Sequence, residues 1–241
     1  MRRVFLPALL CAAAFAAQPA AAKSLSSVPV RLDPAKAYVL VEVDNVDGGK
    51  QAGQITLARY DQANGDVKGL GRATASALPN KTSPHEGTGK PLVKDEMRRL
   101  YLLELEPDFW VIEGANGTAF SLGSVGATLA PGTVTDIGVA SVHIDYADGD
   151  GPDKLTAGKL AKAAMLGPLF GGSLKPKPVP AMIDLHARTP ADLPVPIGLQ
   201  GRVTAATWSQ PVKFGNHLGG LVNRMGGRKA RGGGGGAAAA E

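Results

Sequence analysis

The sequence is short of the groups that build most active sites. One cysteine occurs in 241 residues, Cys11, and it lies in an N-terminal apolar run. A chain without that run has no thiol, which excludes disulfides, thiolate catalysis and cysteine metal sites. Aromatics make up 5% of the residues, so the few present are core anchors or a sugar-stacking platform. Tyr101, Phe109 and Trp110 sit among apolar neighbours, which favours the core; Trp208 stands apart. H-E-x-x-H, the G-x-S-x-G elbow and the P-loop are all missing. His85, His143, His186 and His217 never come within ligand spacing of one another. The formal charge of +5 loses two with Arg2 and Arg3. Part of the rest lies in Arg224, Arg228, Lys229 and Arg231, which is weak ground for nucleic acid.

What is present first is an address. Arg2 and Arg3 precede an apolar run from Val4 to Ala17, and Ala20-Ala21-Ala22 offers small residues for cleavage before Lys23. Residues 1–22 therefore read as a secretory signal peptide. Leu10 before Cys11 argues against a lipid anchor. Nothing later reaches the roughly 18 apolar residues of a spanning helix. The expectation is a periplasmic or secreted protein with no transmembrane segment in the mature chain.

From Ala37 onward the chain reads as short strands between turn signals. "AYVLVEV" (Ala37 to Val43) is short and nearly continuous in apolar character, which suits a strand buried on both faces. "QITLARY" (Gln54 to Tyr60) alternates, and Asn64-Gly65 signals a hairpin. Residues 71–94, with Pro79, Pro84 and Pro91, read as a long loop. In "RRLYLLELEPDFWVIEG", Leu100, Leu102 and Glu104 share one face and Tyr101, Leu103 and Leu105 the other. Pro107-Asp108 makes a corner, Asn116-Gly117 a hairpin, and Pro131-Gly132 a type II turn. Val134 to Ile144 is one strand broken at Gly138, or two.

The division expected is a β-sandwich domain over 23–150, then a helix and proline-rich linker over 151–180. A C-terminal extension packing on the sandwich follows over 181–225, and a disordered tail over 226–241. The helix is placed at Lys154 to Phe170, ended by Gly167-Pro168. "MIDLHAR" and "RVTAATWSQPVKF" suit two more strands, and "HLGGLVNRMGG" a short helix.

The one cluster of metal-ligand type is "DYADGDGPDK". Asp145, Asp148, Asp150 and Asp153 are candidate calcium ligands, since calcium accepts irregular oxygen shells. The EF-hand register fails, with Pro152 and Lys159 where carboxylates are needed. The plainer reading is a turn whose Asp153 faces a helix N-terminus. His143, two residues before Asp145, offers a two-residue metal pair or a cross-strand neighbour. Ser141, His143 and Asp145 form a row along one strand, which is poor geometry for a catalytic relay.

Leu105-Glu106-Pro107-Asp108-Phe109-Trp110, followed by Leu129-Ala130-Pro131-Gly132-Thr133-Val134-Thr135-Asp136-Ile137-Gly138, resembles the turn motifs of small β-sandwich domains in exported bacterial proteins of unknown function. Asp108 stands where that pattern has glycine. The resemblance covers about residues 37–144. It implies an immunoglobulin- or transthyretin-like antiparallel sandwich and carries over no catalytic residue and no cofactor. The function expected is a non-enzymatic binding or structural protein of the bacterial envelope, contacting an envelope protein or polymer. The alternatives are a calcium-binding or hydrolytic protein using residues 145–153, and an accessory subunit of a surface or transport assembly, with residues 71–94 and the basic tail as contacts.

Overall fold

The structure is a computed structural model and describes residues 22–45, 53–76, 90–145, 179–215 and 220–228. Strands take up 50% of it and helical turns 3%, so the chain is mainly β. Its strands form two sheets. In the first, β1 (Lys23–Leu25), β6 (Arg98–Leu105), β2 (Ala37–Asn45), β10 (Val134–Ile144) and β11 (Ala181–His186) lie side by side. The short β5 (Val93–Lys94) pairs with β6, and β12 (Val203–Ala205) with β10. In the second, β13 (Leu221–Val222), β8 (Thr118–Ala119), β7 (Asp108–Ala115), β3 (Gln54–Asp61) and β4 (Asp66–Ser76) are neighbours, and β9 (Gly126–Leu129) pairs with β7.

The period of two along each strand sorts the side chains into three apolar layers. Val39, Val41 and Val43 of β2, with Tyr101, Leu103 and Leu105 of β6, meet Ile55, Leu57, Trp110 and Ile112 of the second sheet. The alternate residues Tyr38, Leu40, Leu100 and Leu102 enter a second cluster on the outer face of the first sheet, covered by Leu193 and Leu199. A third cluster on the outer face of the second sheet joins Ala58, Tyr60, Val67, Phe109 and Val111 to Phe214. The doubly apolar reading of β2 thus has its cause in coil segments that cover a face which a bare two-sheet packing would leave wet. Each fully buried leucine contributes about 1.5–3 kcal/mol.

Turn chemistry sets the local connections. Asn116 and Gly117 both have positive φ, 45° and 73°, the left-handed pair of a two-residue hairpin. The corner at Pro107 carries the chain from the first sheet to the second. Asp108, in the glycine's place, accepts hydrogen bonds from its neighbour's amide (Phe109 N, 2.9 Å), Arg59 Nε (2.7 Å) and Lys68 Nζ (2.7 Å). β10 is one strand with a bulge against β2 between Asp136 and Val139. Gly138 sits in that bulge at φ 84°, and a Cβ there would lie 2.1 Å from the His186 carbonyl oxygen. The site therefore needs glycine on both counts.

Three expectations are corrected. The sheets are mixed where an antiparallel sandwich was expected: β10 runs parallel to β2 and β12, and β13 parallel to β8. Hairpin signals report only antiparallel neighbours; a parallel pair joins segments far apart in sequence and leaves no local mark. The loop expected over 71–94 is strand at both ends, because Ala73 and Ala75 alternate into the core. "HLGGLVNRMGG" contains strand β13 where a helix was expected, and its backbone is bound sideways: the Asn223 amide donates to the Ala119 carbonyl, and the Ile183 amide to the Met225 carbonyl. The expected signal peptide up to residue 21, the helix expected over 154–170 and almost all of the expected linker lie outside the described residues, and so does the tail expected over 226–241 except for residues 226–228, where Arg228 is bound to Asp145. Among those described, no helix is long and apolar enough to cross a membrane.

Candidate functional site

The most concentrated chemistry on the fold is a group of charges buried on the outer face of the first sheet. β2 places Glu42 beside Tyr38 and Leu40, where it is fully buried. Its Oε2 accepts from Arg188 Nη1 at 2.5 Å and from the Leu193 amide at 3.0 Å. Arg188 also donates through Nε to Asp136 Oδ2 at 2.9 Å and through Nη2 to Asp136 Oδ1 at 3.3 Å. Asp136 sits at the bulge of β10, where its Oδ1 also accepts from the Gly138 amide. One guanidinium thus binds two carboxylates from adjacent strands, in the forked geometry that suits arginine. Arg98 closes the group: it pairs with Asp95, donates to the Ala191 carbonyl at 3.0 Å, and holds Nη1 3.7 Å from Glu42 Oε1. That oxygen has no hydrogen-bond partner of its own. Residues 187–195 are laid across the sheet as a strap, fastened at Arg188, Ala191 and Leu193.

Burial raises the Glu42 carboxyl above the ordinary glutamate value, although Arg188 and the Leu193 amide pull it down. Burial also opposes the Arg188 cation, but Asp136 and Glu42 outweigh it and hold the arginine's pKa above its usual value. Asp108 behaves differently: burial pushes it up, and the bonds from Lys68, the Phe109 amide and Arg59 more than offset this, leaving it below the ordinary range.

These directions set the dependence on pH. Stability contributed by the depressed carboxyls Asp108 and Asp145 is present above their unfolded value near about 3.9 and is lost as pH falls through the folded value. Glu42 has the opposite sign. Its contribution is complete below the unfolded glutamate value and declines as pH rises through the folded one. Glu42→Gln should remove that decline, so urea midpoints of the two chains should diverge between mild acid and neutrality. Parallel curves would contradict it.

Of the four aspartates expected to bind metal, the structure describes Asp145, just beyond β10; Asp148, Asp150 and Asp153 lie outside the described residues. Asp145 is buried, and its Oδ2 accepts from Asn223 Nδ2 (2.8 Å), the Arg228 amide (2.8 Å) and Arg228 Nε (3.2 Å). Arg228 Nη2 also donates to the Asp145 carbonyl. Burial raises this carboxyl, and the bonds from the Arg228 amide, Asn223 and the guanidinium overcome it and lower the pKa. Asn223 Nδ2 further donates to the Ala181 carbonyl at 2.9 Å. Asp145 is thus the anchor of a clasp that holds the segment 220–228 between β8 and β11. Among the described residues no three His, Cys, Asp or Glu side chains are grouped as metal ligands. His143 turns its Nε2 to Asp184, 3.4 Å away on β11, which is the cross-strand alternative.

Among the described residues, Tyr101, Phe109 and Trp110 are core aromatics. Trp110 is buried in the main core with Nε1 donating to the Glu106 carbonyl at 2.9 Å, and Phe109 packs tilted on Tyr60 across 5.9 Å. Beside Trp110 and Trp208 lies a small apolar pocket, partly open to solvent, with a volume of about 10 Å³, at the lower limit for one water. Sequence reasoning passed over Glu42, Asp136 and Arg188. Glu42 did leave a signal, a lone carboxylate inside a run buried on both faces; Arg188 left none. Comparison with known proteins returns no match: no family model, no curated protein and no solved structure matches this chain.

Proposed function

We propose that this chain is an exported binding or structural module of the bacterial envelope, a non-enzymatic protein of immunoglobulin- or transthyretin-like type. The observation that carries the reading is where the described strands begin. β1 starts at Lys23, the residue that cleavage after Ala22 exposes. It pairs antiparallel with β6, Lys23 opposite Glu104 and Leu25 opposite Leu102. Removal of residues 1–22 therefore leaves every described strand intact. The turn resemblance supports the same reading, because Pro107-Asp108 is the crossing between sheets and Pro131-Gly132 leads into β10. The buried charge groups also suit it: they fasten the strap and the segment 220–228 to the sheets, as disulfides would in a cysteine-bearing secreted domain. The test is expression of the full chain in a bacterium, fractionation, and intact-mass analysis. The expected species is periplasmic or secreted and begins at Lys23. Full-length protein retained in the cytoplasm would sink the export reading. Turnover of an envelope polymer that is lost on a single Glu42 or Asp136 change would sink the non-enzymatic one.

A further inference from the structure

Two aliphatic side chains stand almost wholly in solvent, Val30 at 101% and Ile197 at 86% relative exposure. Neither is a stray surface residue. Val28 and Leu32, on either side of Val30, pack into the cluster on the outer face of the first sheet, and so do Val195 and Leu199 around Ile197. In the stretch around Val30 and in the single 3-10 turn Ile197–Leu199, the exposed aliphatic stands out while the flanking aliphatics hold the backbone down. The segments meet, since a Cβ on Gly198 would lie 3.1 Å from Val28 Cγ1. Pro29, Pro194 and Pro196 restrict the backbone on both sides. The tips are thus presented by stiff supports, and little ordering cost attends their burial.

The charge beside them is mainly positive, with the exposed Asp33 as the exception. Arg31 follows Val30. Arg202 donates Nη1 to the Gly198 carbonyl at 3.0 Å, which holds it beside Ile197. Both arginines are exposed. Among the described residues neither has a carboxylate partner, whereas Arg59, Arg98, Arg188 and Arg228 each do. Asp33, the nearest acid in sequence to Arg31, is turned to the Ala35 amide at 2.9 Å.

We propose that the ridge of Val30 and Ile197, flanked by Arg31 and Arg202, docks on an anionic lipid surface. Aliphatic tips of this size enter the boundary between headgroups and acyl chains, and guanidinium groups bind lipid phosphates in forked pairs. The inference does not depend on export, and its test does not read export. The full chain carries Cys11→Ser and an environment-sensitive dye on Gln200→Cys, an exposed position between Ile197 and Arg202. A second chain carries the dye on Ala63→Cys, in the exposed turn after β3. The remote label matters because the apolar N-terminal run can itself meet lipid. Phosphatidylglycerol–phosphatidylcholine vesicles should shift the emission at 200 to the blue, with no shift at 63, and phosphatidylcholine alone should give none. The paired change Val30→Asp/Ile197→Asp should raise the lipid needed for half the shift by about tenfold or more. Arg31→Glu/Arg202→Glu and high salt should weaken it too. Equal shifts at both labels, no shift, or a shift that survives the paired Asp change would overturn the proposal. So would a shift at 200 that grows with protein concentration without vesicles, which would mean that a second copy covers the ridge.

Discussion

Replacing Arg188 by alanine is expected to lower the unfolding free energy by about 3–5 kcal/mol, the usual cost of leaving a buried charge without its partner. The side chain is 10% exposed and binds two carboxylates, of which Glu42 is wholly buried and Asp136 13% exposed. Arginine removal leaves Glu42 with only the Leu193 amide and with Arg98 at 3.7 Å. The same loss should free the strap, so amide exchange should rise at 187–195 before it rises in β2. The companion variant is Arg188→Met with Glu42→Met. It removes the wholly buried one of the two carboxylates together with the cation, leaving the partly exposed Asp136 with the Gly138 amide, and buried ion groups replaced by apolar ones of similar volume are often neutral. The double change should therefore recover much of the loss in urea unfolding. A single change costing under about 1 kcal/mol would mean that Leu193 and Leu199 hold the strap without the charges.

Asp145→Ala is the second large effect expected, at about 2–3 kcal/mol. The figure is smaller because Arg228 is 39% exposed and water can replace part of what it loses. Asn223 fares worse: its amide is buried and would keep only the Ala181 carbonyl as acceptor. The segment 220–228 should then detach, seen as cleavage there by a protease at concentrations that leave the native chain whole. Asp145→Asn should keep the bond to Arg228 N and lose the charge, so its cost should fall in between. The drop for Asp145→Ala should be the same in excess calcium and in EDTA. A drop confined to the calcium condition would return Asp145 to the metal-ligand role that its sequence context suggests.

Asp145 shows why the candidate site was only half legible in the sequence. Its neighbourhood of aspartates and glycines reads as a loop for a cation. Its partners, Asn223 and Arg228, come from a segment that carries no metal or turn motif and that reads as a weak helix. No spacing rule links residue 145 to residue 228. The strands fared better, because their causes are local. Alternation in "QITLARY", the doubled apolar faces of β2 and β6, and the Asn116-Gly117 turn each follow from side chains within a few residues. The parallel pairing of β2 with β10, and the strap held by Arg188, depend on contacts between distant segments. Glu42 lies between these cases: the oddity was visible, and the arginine that resolves it was not.

The parallel pairing has a kinetic consequence. Tyr38 finds its place beside Val134 only after the chain has passed through β3, β4, β6, β7 and β9. The central strand of the first sheet therefore cannot gain its second neighbour until a long loop has closed, and pairings of that kind slow folding. While the chain is being made, its N-terminal part lacks the partner that would lock it. Were the chain exported unfolded, as proposed above, such a delay would keep it threadable until its last strands had emerged on the far side.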